Sequence, residues 1–262
     1  MPSKRNMESL KHGLSEEQEE EAVRVHNDIR KAVSPGASNM KKMRYNKELA
    51  AASQAWADSC LEGHSLREAA GENIFASTGD VINVTQAIYS WDDEKWDYDY
   101  ETNTCKEGKV CGHYTQAVWA QSDQVGCGAT NKCTDKWRTR IVCQYIAVGN
   151  VQGIKPYMTG APCSDCKTCG YSCDNGMCIK DTRGCTDCYT GDGSTYSGKY
   201  NRTASGRPCM NWKFKWPHYA DAHENYCRNW FSSSGFNRPL CYISPTPGDW
   251  AVEYCEVPIC GQ

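Results

Sequence analysis

The 18 cysteines in 262 residues constrain this chain more than any other feature, because they are unevenly placed. The first is Cys60, and twelve fall between Cys163 and Cys260. Such density in loop-rich sequence predicts disulfide staples, and these need an oxidising compartment, since a reducing cytosol would leave the thiols free. A secreted, extracellular protein is expected. The length allows one large or two ordinary domains, with a sizeable core in at least one. A formal charge of −3, with acidic and basic residues interspersed, leaves no electrostatic case for a nucleic-acid partner. Residues 1–13 are polar and basic, so no signal peptide is read there, and no stretch approaches membrane-spanning length. Asn83-Val84-Thr85 and Asn201-Arg202-Thr203 are glycosylation sequons and fit a secretory route.

Up to Tyr157 the hydrophobic pattern is that of an ordinary core. Ser15-Glu16-Glu17-Gln18 is a capping box, followed at helical spacing by Ala22, Val25, Ile29 and Ala32 until Ser34-Pro35-Gly36 stops the run. A second helix is predicted from Asn46, with Leu49, Ala52, Trp56 and Cys60 on its stripe. A loop then carries Gly63-His64-Ser65 and Gly71-Glu72-Asn73-Ile74. A third helix is predicted over 80–96, with Val81, Val84, Ile88 and Trp91 inward and Glu94 one turn beyond Trp91. The stretch from Cys111 to Gly128 reads as a helix opening at Gly112, with Tyr114, Val118 and Gln121 along one side. His113 falls in its first turn, where the helix dipole disfavours imidazolium and leaves a neutral ring able to bind a metal. Residues 125–129 and 140–145 read as short strands bounded by turn formers. Helices first and strands among and after them predict an α+β layering with an antiparallel sheet.

Beyond Tyr157 the periodicity ends. Five cysteines lie between Cys163 and Cys178 with too little apolar mass around them for a core, so the cysteines must hold that segment. From Cys188 to Cys260 six more are spread through turn-rich, aromatic-rich sequence. Trp212, Phe214, Trp216, Trp230, Phe236 and Trp250 can supply a small stapled core there.

Gly112-His113-Tyr114-Thr115-Gln116-Ala117-Val118-Trp119 resembles the first signature of the CAP superfamily of cysteine-rich secretory, antigen 5 and pathogenesis-related proteins. Ile141-Val142-Cys143-Gln144-Tyr145-Ile146-Ala147-Val148-Gly149-Asn150-Val151 resembles its second. Gly71-Glu72-Asn73-Ile74 and Trp91-Asp92-Asp93-Glu94 fit the intervening blocks. The resemblance implies a three-layer αβα sandwich over residues 14–157 and a cleft lined by His64, Glu72, Glu94 and His113. Two neutral imidazoles can ligate a divalent metal such as zinc, and two carboxylates can orient them. It also implies lipid or sterol binding as one activity of this domain.

Residues 158–187 resemble the hinge of the cysteine-rich secretory proteins through Pro162-Cys163-Ser164-Asp165-Cys166 and Cys173-Asp174-Asn175-Gly176-Met177-Cys178. Residues 188–260 resemble a kringle through Cys188-Tyr189-Thr190-Gly191-Asp192-Gly193, Asn225-Tyr226-Cys227-Arg228-Asn229 and Glu253-Tyr254-Cys255. These likenesses imply the pairs Cys60 with Cys133, Cys127 with Cys143, Cys105 with Cys111, Cys163 with Cys173, and Cys166 with Cys178; Cys169 and Cys185 are extras to that pattern and are expected to pair with each other. In the kringle they imply Cys188 with Cys260, Cys209 with Cys241, and Cys227 with Cys255. A lysine-binding kringle pairs an ammonium with carboxylates and lays its stem on aromatic rings. Here no Asp or Glu lies between Cys227 and Cys241, and Leu240 and Val252 stand where tryptophans are usual, so loss of the lysine site is expected.

The function expected is that of a secreted, non-enzymatic binding protein, its first domain holding a metal and its kringle docking a protein or glycan. A metal-dependent peptidase using His64 and His113 is the rival, but no His-Glu-x-x-His motif supports it. A venom or defence effector acting on a membrane target is the third reading, weakened because the family's channel-regulating domain is replaced.

Overall fold

The structure, a computed structural model, describes residues 13–65, 70–166, 170–181, 187–212, 225–229, 232–244 and 251–260. The chain divides into two units, one formed by residues 1–32 with 43–150 and the other by residues 33–42 with 151–262.

In the first unit, helix α1 (Glu16–Lys31) opens with the predicted capping box: Ser15 Oγ accepts from Gln18 N at 3.2 Å, and Ser15 N donates to Gln18 Oε1 at 2.9 Å. Ala22, Val25 and Ile29 are buried as expected, while Ala32 is the exposed C-cap. After the short strand β1 (Arg44–Tyr45), Asn46 caps α2 (Lys47–Ser59) by accepting from the N–H groups of Glu48 and Leu49. The buried residues of α2 are Leu49, Ala50, Ser53 and Ala57, so its inner face is rotated from the predicted stripe and Trp56 lies at the margin.

The stretch from Gly71, expected as loop, is strand β2 (Gly71–Ser77). The third helix is shorter than predicted. Helix α3 spans Val84–Asp92 behind the N-cap Asn83 and continues as a 3₁₀ turn, Asp93–Asp97, that carries Glu94. Val81 precedes the cap and is 74% exposed, not inward. A small hairpin, β3 (Tyr98–Asp99) and β4 (Thr104–Cys105), leads to α4 (Gly112–Ala117). The helix predicted from Gly112 therefore ends before Gln121. The cause is distant in sequence: buried Arg30 of α1 donates to the carbonyls of Ala117, Trp119 and Ala120, taking the groups a longer helix would have used itself.

Strands β5 (Gln124–Thr130) and β6 (Thr139–Ile146) complete a sheet of order β1-β5-β6-β2. Every pairing in it is antiparallel except that of β1 with β5. Helix α2 covers one face closely, since a Cβ at Gly126 or Gly128 would collide with its backbone near Ala50 and Gln54. The opposite face carries Tyr145, whose hydroxyl meets His26 of α1 at 2.9 Å, while Trp91 of α3 donates to Ile74 O. These layers are the predicted αβα sandwich. Disulfides Cys60–Cys133, Cys105–Cys111 and Cys127–Cys143 form as the resemblance implied.

In the second unit, β7 (Gly170–Asp174) and β8 (Met177–Asp181) form a hairpin turned by Asn175 and Gly176, both at positive φ as an Asn-Gly hairpin turn requires. Disulfides Cys163–Cys173 and Cys166–Cys178 staple it. Lys41 bridges alongside Cys178, so part of segment 33–42 adds a strand-like edge to the hairpin. Its ammonium is buried, sits 4.7 Å from the centre of the Tyr171 ring and pairs with Glu256, whose other carboxylate oxygen accepts from the Tyr171 hydroxyl.

Residues 188–260 are pinned by Cys188–Cys260, Cys209–Cys241 and Cys227–Cys255, again as implied. Strands β9 (Leu240–Tyr242) and β10 (Val252–Tyr254) pair antiparallel. Trp212 stands edge-on to Tyr242 at 5.3 Å in the core, and Phe236 packs against that core. Phe214, Trp216, Trp230 and Trp250, and the Cys169–Cys185 pair, lie outside the described residues.

Candidate functional site

The four side chains expected to line the cleft come together as two imidazole–carboxylate pairs. His64 places Nδ1 3.0 Å from Glu72 Oε1, and His113 places Nδ1 2.6 Å from Glu94 Oε1. Their settings differ: the His64 side chain is 65% exposed, that of His113 30%, and both glutamates are well covered. Among the described residues, no three imidazole or carboxylate groups bring their ligand atoms within 4.8 Å of one another. The one cluster that does is Cys209, Cys227, Cys241 and Cys255, and those sulfurs are already two disulfides.

Each glutamate is fixed from several sides. Glu94 caps α4 from a distant segment, its Oε2 accepting from the N–H groups of His113 at 2.9 Å and Tyr114 at 3.1 Å. Glu72 accepts from Ser65 N at 2.8 Å and, through Oε2, from Gln144 Nε2 at 2.9 Å. Burial alone would raise the Glu72 carboxyl, but hydrogen bonds from Ser65, Gln144 and His64 outweigh it and hold it below the usual carboxylate range. A carboxylate only accepts, so in each neutral ring Nδ1 carries the proton and Nε2 keeps its lone pair. That is the arrangement in which a second group orients a metal-ligating histidine.

A family model described as CAP, cysteine-rich secretory protein family, matches residues 23–145, and a kringle domain model matches residues 188–260. The chain belongs to the CAP family. It is similar to peptidase inhibitor 16 of Bos taurus, with 43% identity over 171 residues, covering 63% of this chain and 37% of that protein. Peptidase inhibitor 16 of Homo sapiens is 42% identical over the same length, covering 63% and 37%. The chain thus spans little more than a third of the length of these curated relatives. Among solved structures, NaASP2 with Zn2+ is 30% identical with a TM-score of 0.53, covering 64% of this chain and 98% of that one. Na-ASP-1 is 26% identical with a TM-score of 0.57, covering 68% and 52%.

Within this CAP domain the signature residues hold one another. Asn73, next to Glu72 on β2, donates to the His113 carbonyl at 2.9 Å and to the Tyr145 hydroxyl at 3.3 Å. Consecutive residues of one edge strand therefore serve the two pairs. Behind them, His26 Nδ1 lies 2.7 Å from Ala22 O, which can only accept, so Nε2 is bare and takes the Tyr145 O–H. Burial lowers His26 to about 4, with the Ala22 hydrogen bond opposing and Arg30 adding to the effect. Gln116 of α4 accepts from Gly149 N at 3.0 Å and donates to Ser122 Oγ at 3.2 Å. A Cβ at Gly71 would strike the Gln116 amide, which is why the strand must begin with glycine there. Asn150 donates to Gly112 O at 2.8 Å and accepts from Thr115 Oγ1 at 2.7 Å. Asn73, Gln116, Gln144 and Asn150 lie inside the matched motifs with no role legible in the sequence, because a buried amide is recognisable only once its partners are known.

Proposed function

We propose that this CAP-kringle chain is a secreted, non-enzymatic binding protein whose CAP domain holds a divalent ion through Nε2 of His64 and Nε2 of His113, with the kringle docking a protein or glycan partner. The observation that carries the reading is that both imidazoles commit Nδ1 to a well-covered carboxylate and keep Nε2 for a ligand. Zinc suits two imidazole nitrogens, and a relative at 30% identity is described with Zn2+. A bound zinc ion would supply Lewis acidity and open coordination positions. The protein's part is to set the ring orientations: Glu94 does so through α4, and Glu72 through Ser65 and Gln144.

The peptidase reading finds less support in the same geometry. The Ser65 hydroxyl hydrogen-bonds Glu72, its Oγ accepts from Gln144, and His64 faces Glu72, so serine and imidazole form no nucleophile and base pair. Eight disulfides among the described residues fit secretion, and no helix among them is long and apolar enough to cross a membrane. Asn83 and Asn201 are exposed, as glycan acceptors must be; Asn83 uses its side-chain oxygen to cap α3. Lipid or sterol binding by the CAP domain stays part of the proposal, tested by titrating a fluorescent sterol into the full chain.

Zinc titration by calorimetry tests the metal site. His64→Ala and His113→Ala are expected to abolish binding, and Glu94→Gln to weaken it about 10–100-fold, the usual cost of losing a ring-orienting partner. Zinc affinity unchanged in both histidine variants would sink the reading. Zinc-dependent peptide cleavage lost with His113→Ala would replace it with the peptidase.

A further inference from the structure

The kringle carries an arginine where a lysine-binding kringle would present acids. Between Cys227 and Cys241 the charged residues are Arg228 and Arg238, with no Asp or Glu. Arg238 is exposed, and its guanidinium carbon lies 4.2 Å from the centre of the Tyr254 ring. Phe236 stands edge-on to the same ring at 6.0 Å, and Val252, two residues back on β10, is partly buried beside the core. The result is an aromatic and aliphatic surface with a cation laid on it.

The carboxylates among the described residues of 187–260 are engaged elsewhere. Glu253 alternates to the opposite side of β10 from Tyr254 and accepts from Ser205 N at 3.0 Å. Glu256 takes Lys41 and Tyr171, Asp192 accepts from Ser194 N, and Asp187 takes Tyr196 and the N–H of Lys199. Among the described residues no carboxylate pairs with Arg238. A guanidinium lying over a ring face keeps its in-plane N–H fork, and that fork matches a carboxylate with two parallel hydrogen bonds. An incoming ammonium meets the reverse situation: the ring face is covered and the covering charge repels it.

We propose that this face binds a carboxylate on a short apolar stem, presented by a glutamate side chain or a chain terminus of a protein partner. Arg238 takes the carboxylate, and Tyr254, Phe236 and Val252 take the stem. The inference rests on the reading of the kringle as the docking module and is independent of the metal site.

The test uses the full chain with chelator present, labelled so that arginine Nε–H signals are followed by NMR, and two small probes, hexanoate and butylamine. Hexanoate is expected to shift the Arg238 signal saturably at millimolar concentration, and butylamine to leave it unmoved. In Arg238→Gln, hexanoate affinity followed on the Tyr254 ring signals should fall at least about tenfold, and Arg238→Lys should fall nearly as far because the fork is lost while the charge stays. Lys199→Gln, an exposed charge elsewhere in the kringle, should change nothing. Peptides with a free C-terminus, an amidated C-terminus or an internal glutamate then separate the two sources of carboxylate. Saturation by butylamine instead of hexanoate, or full binding by Arg238→Lys, would overturn the proposal. Zinc titration of Arg238→Gln should match the unaltered protein, so failure here and failure of the metal site are told apart.

Discussion

In the CAP unit, Leu49, Ile88, Trp119, Ile141 and Tyr145 fill the space between helices and sheet, and three disulfides supplement them. In the kringle the disulfides are themselves the filling: Cys209, Cys227, Cys241 and Cys255 are four of ten buried core residues among those described. A unit with apolar mass to spare can bury polar groups such as His26, Arg30, Asn73 and Gln144 and build a site from them. A unit closed by sulfur has little room inside, and its distinctive chemistry lies outside, at Arg238.

The largest expected break in that comparison comes from Cys227→Ser with Cys255→Ser. Loss of this bridge should cost about 2–5 kcal/mol and unfold the kringle at 37 °C, while the α-helical signal of the CAP unit stays. Proteolysis followed by mass mapping reads it; a protease-resistant kringle in that variant would show that its aromatic residues suffice. Next is Arg30→Met. Burial pulls this guanidinium down to about 9, so it is charged at neutral pH, and its removal leaves the carbonyls behind α4 without their donor. A loss of at least about 3 kcal/mol is expected in denaturant titration of the CAP unit. A loss below 1 kcal/mol would mean that water replaces the guanidinium there.

The smallest effect is in pH. His26 is surrounded by Arg30 of its own helix, Tyr145 of β6 and Trp91 of α3. Its folded value of about 4 lies below the ordinary 6.5, so the unfolded chain takes the proton first. Stability is therefore complete above about pH 6.5 and falls as pH drops toward 4, by up to about 3 kcal/mol. Glu72, held below the ordinary carboxylate range, adds its loss only at lower pH. Denaturant midpoints at pH 7.5 and 4.5 measure the fall, and His26→Gln should flatten it.

Local signals were readable where the cause is local. The capping box placed α1, and the β-prone runs placed β5 and β6. Strand β2 reads as loop in the sequence because its residues do not alternate cleanly, and pairing along β6 makes it a strand. The end of α4 is not legible in its own sequence because the cause is Arg30, nearly ninety residues earlier. Likeness to the family singled out His64, Glu72, Glu94 and His113, and the structure pairs them. The amides that hold those pairs carry no pattern of their own, since a lone Asn or Gln reads the same on a surface as in a core.

The buried triad of Lys41, Tyr171 and Glu256 has a consequence for how this protein is made. Its members come from the early, middle and late parts of the chain, so the lysine emerges from the ribosome more than two hundred residues before its carboxylate. A fragment ended at residue 157 would take Tyr171 and Glu256 away from that ammonium, and one begun at residue 188 would take Lys41 and Tyr171 away from the acid. The second unit therefore ties residues 41, 171 and 256 together, and this contact can form only after Glu256 has been made.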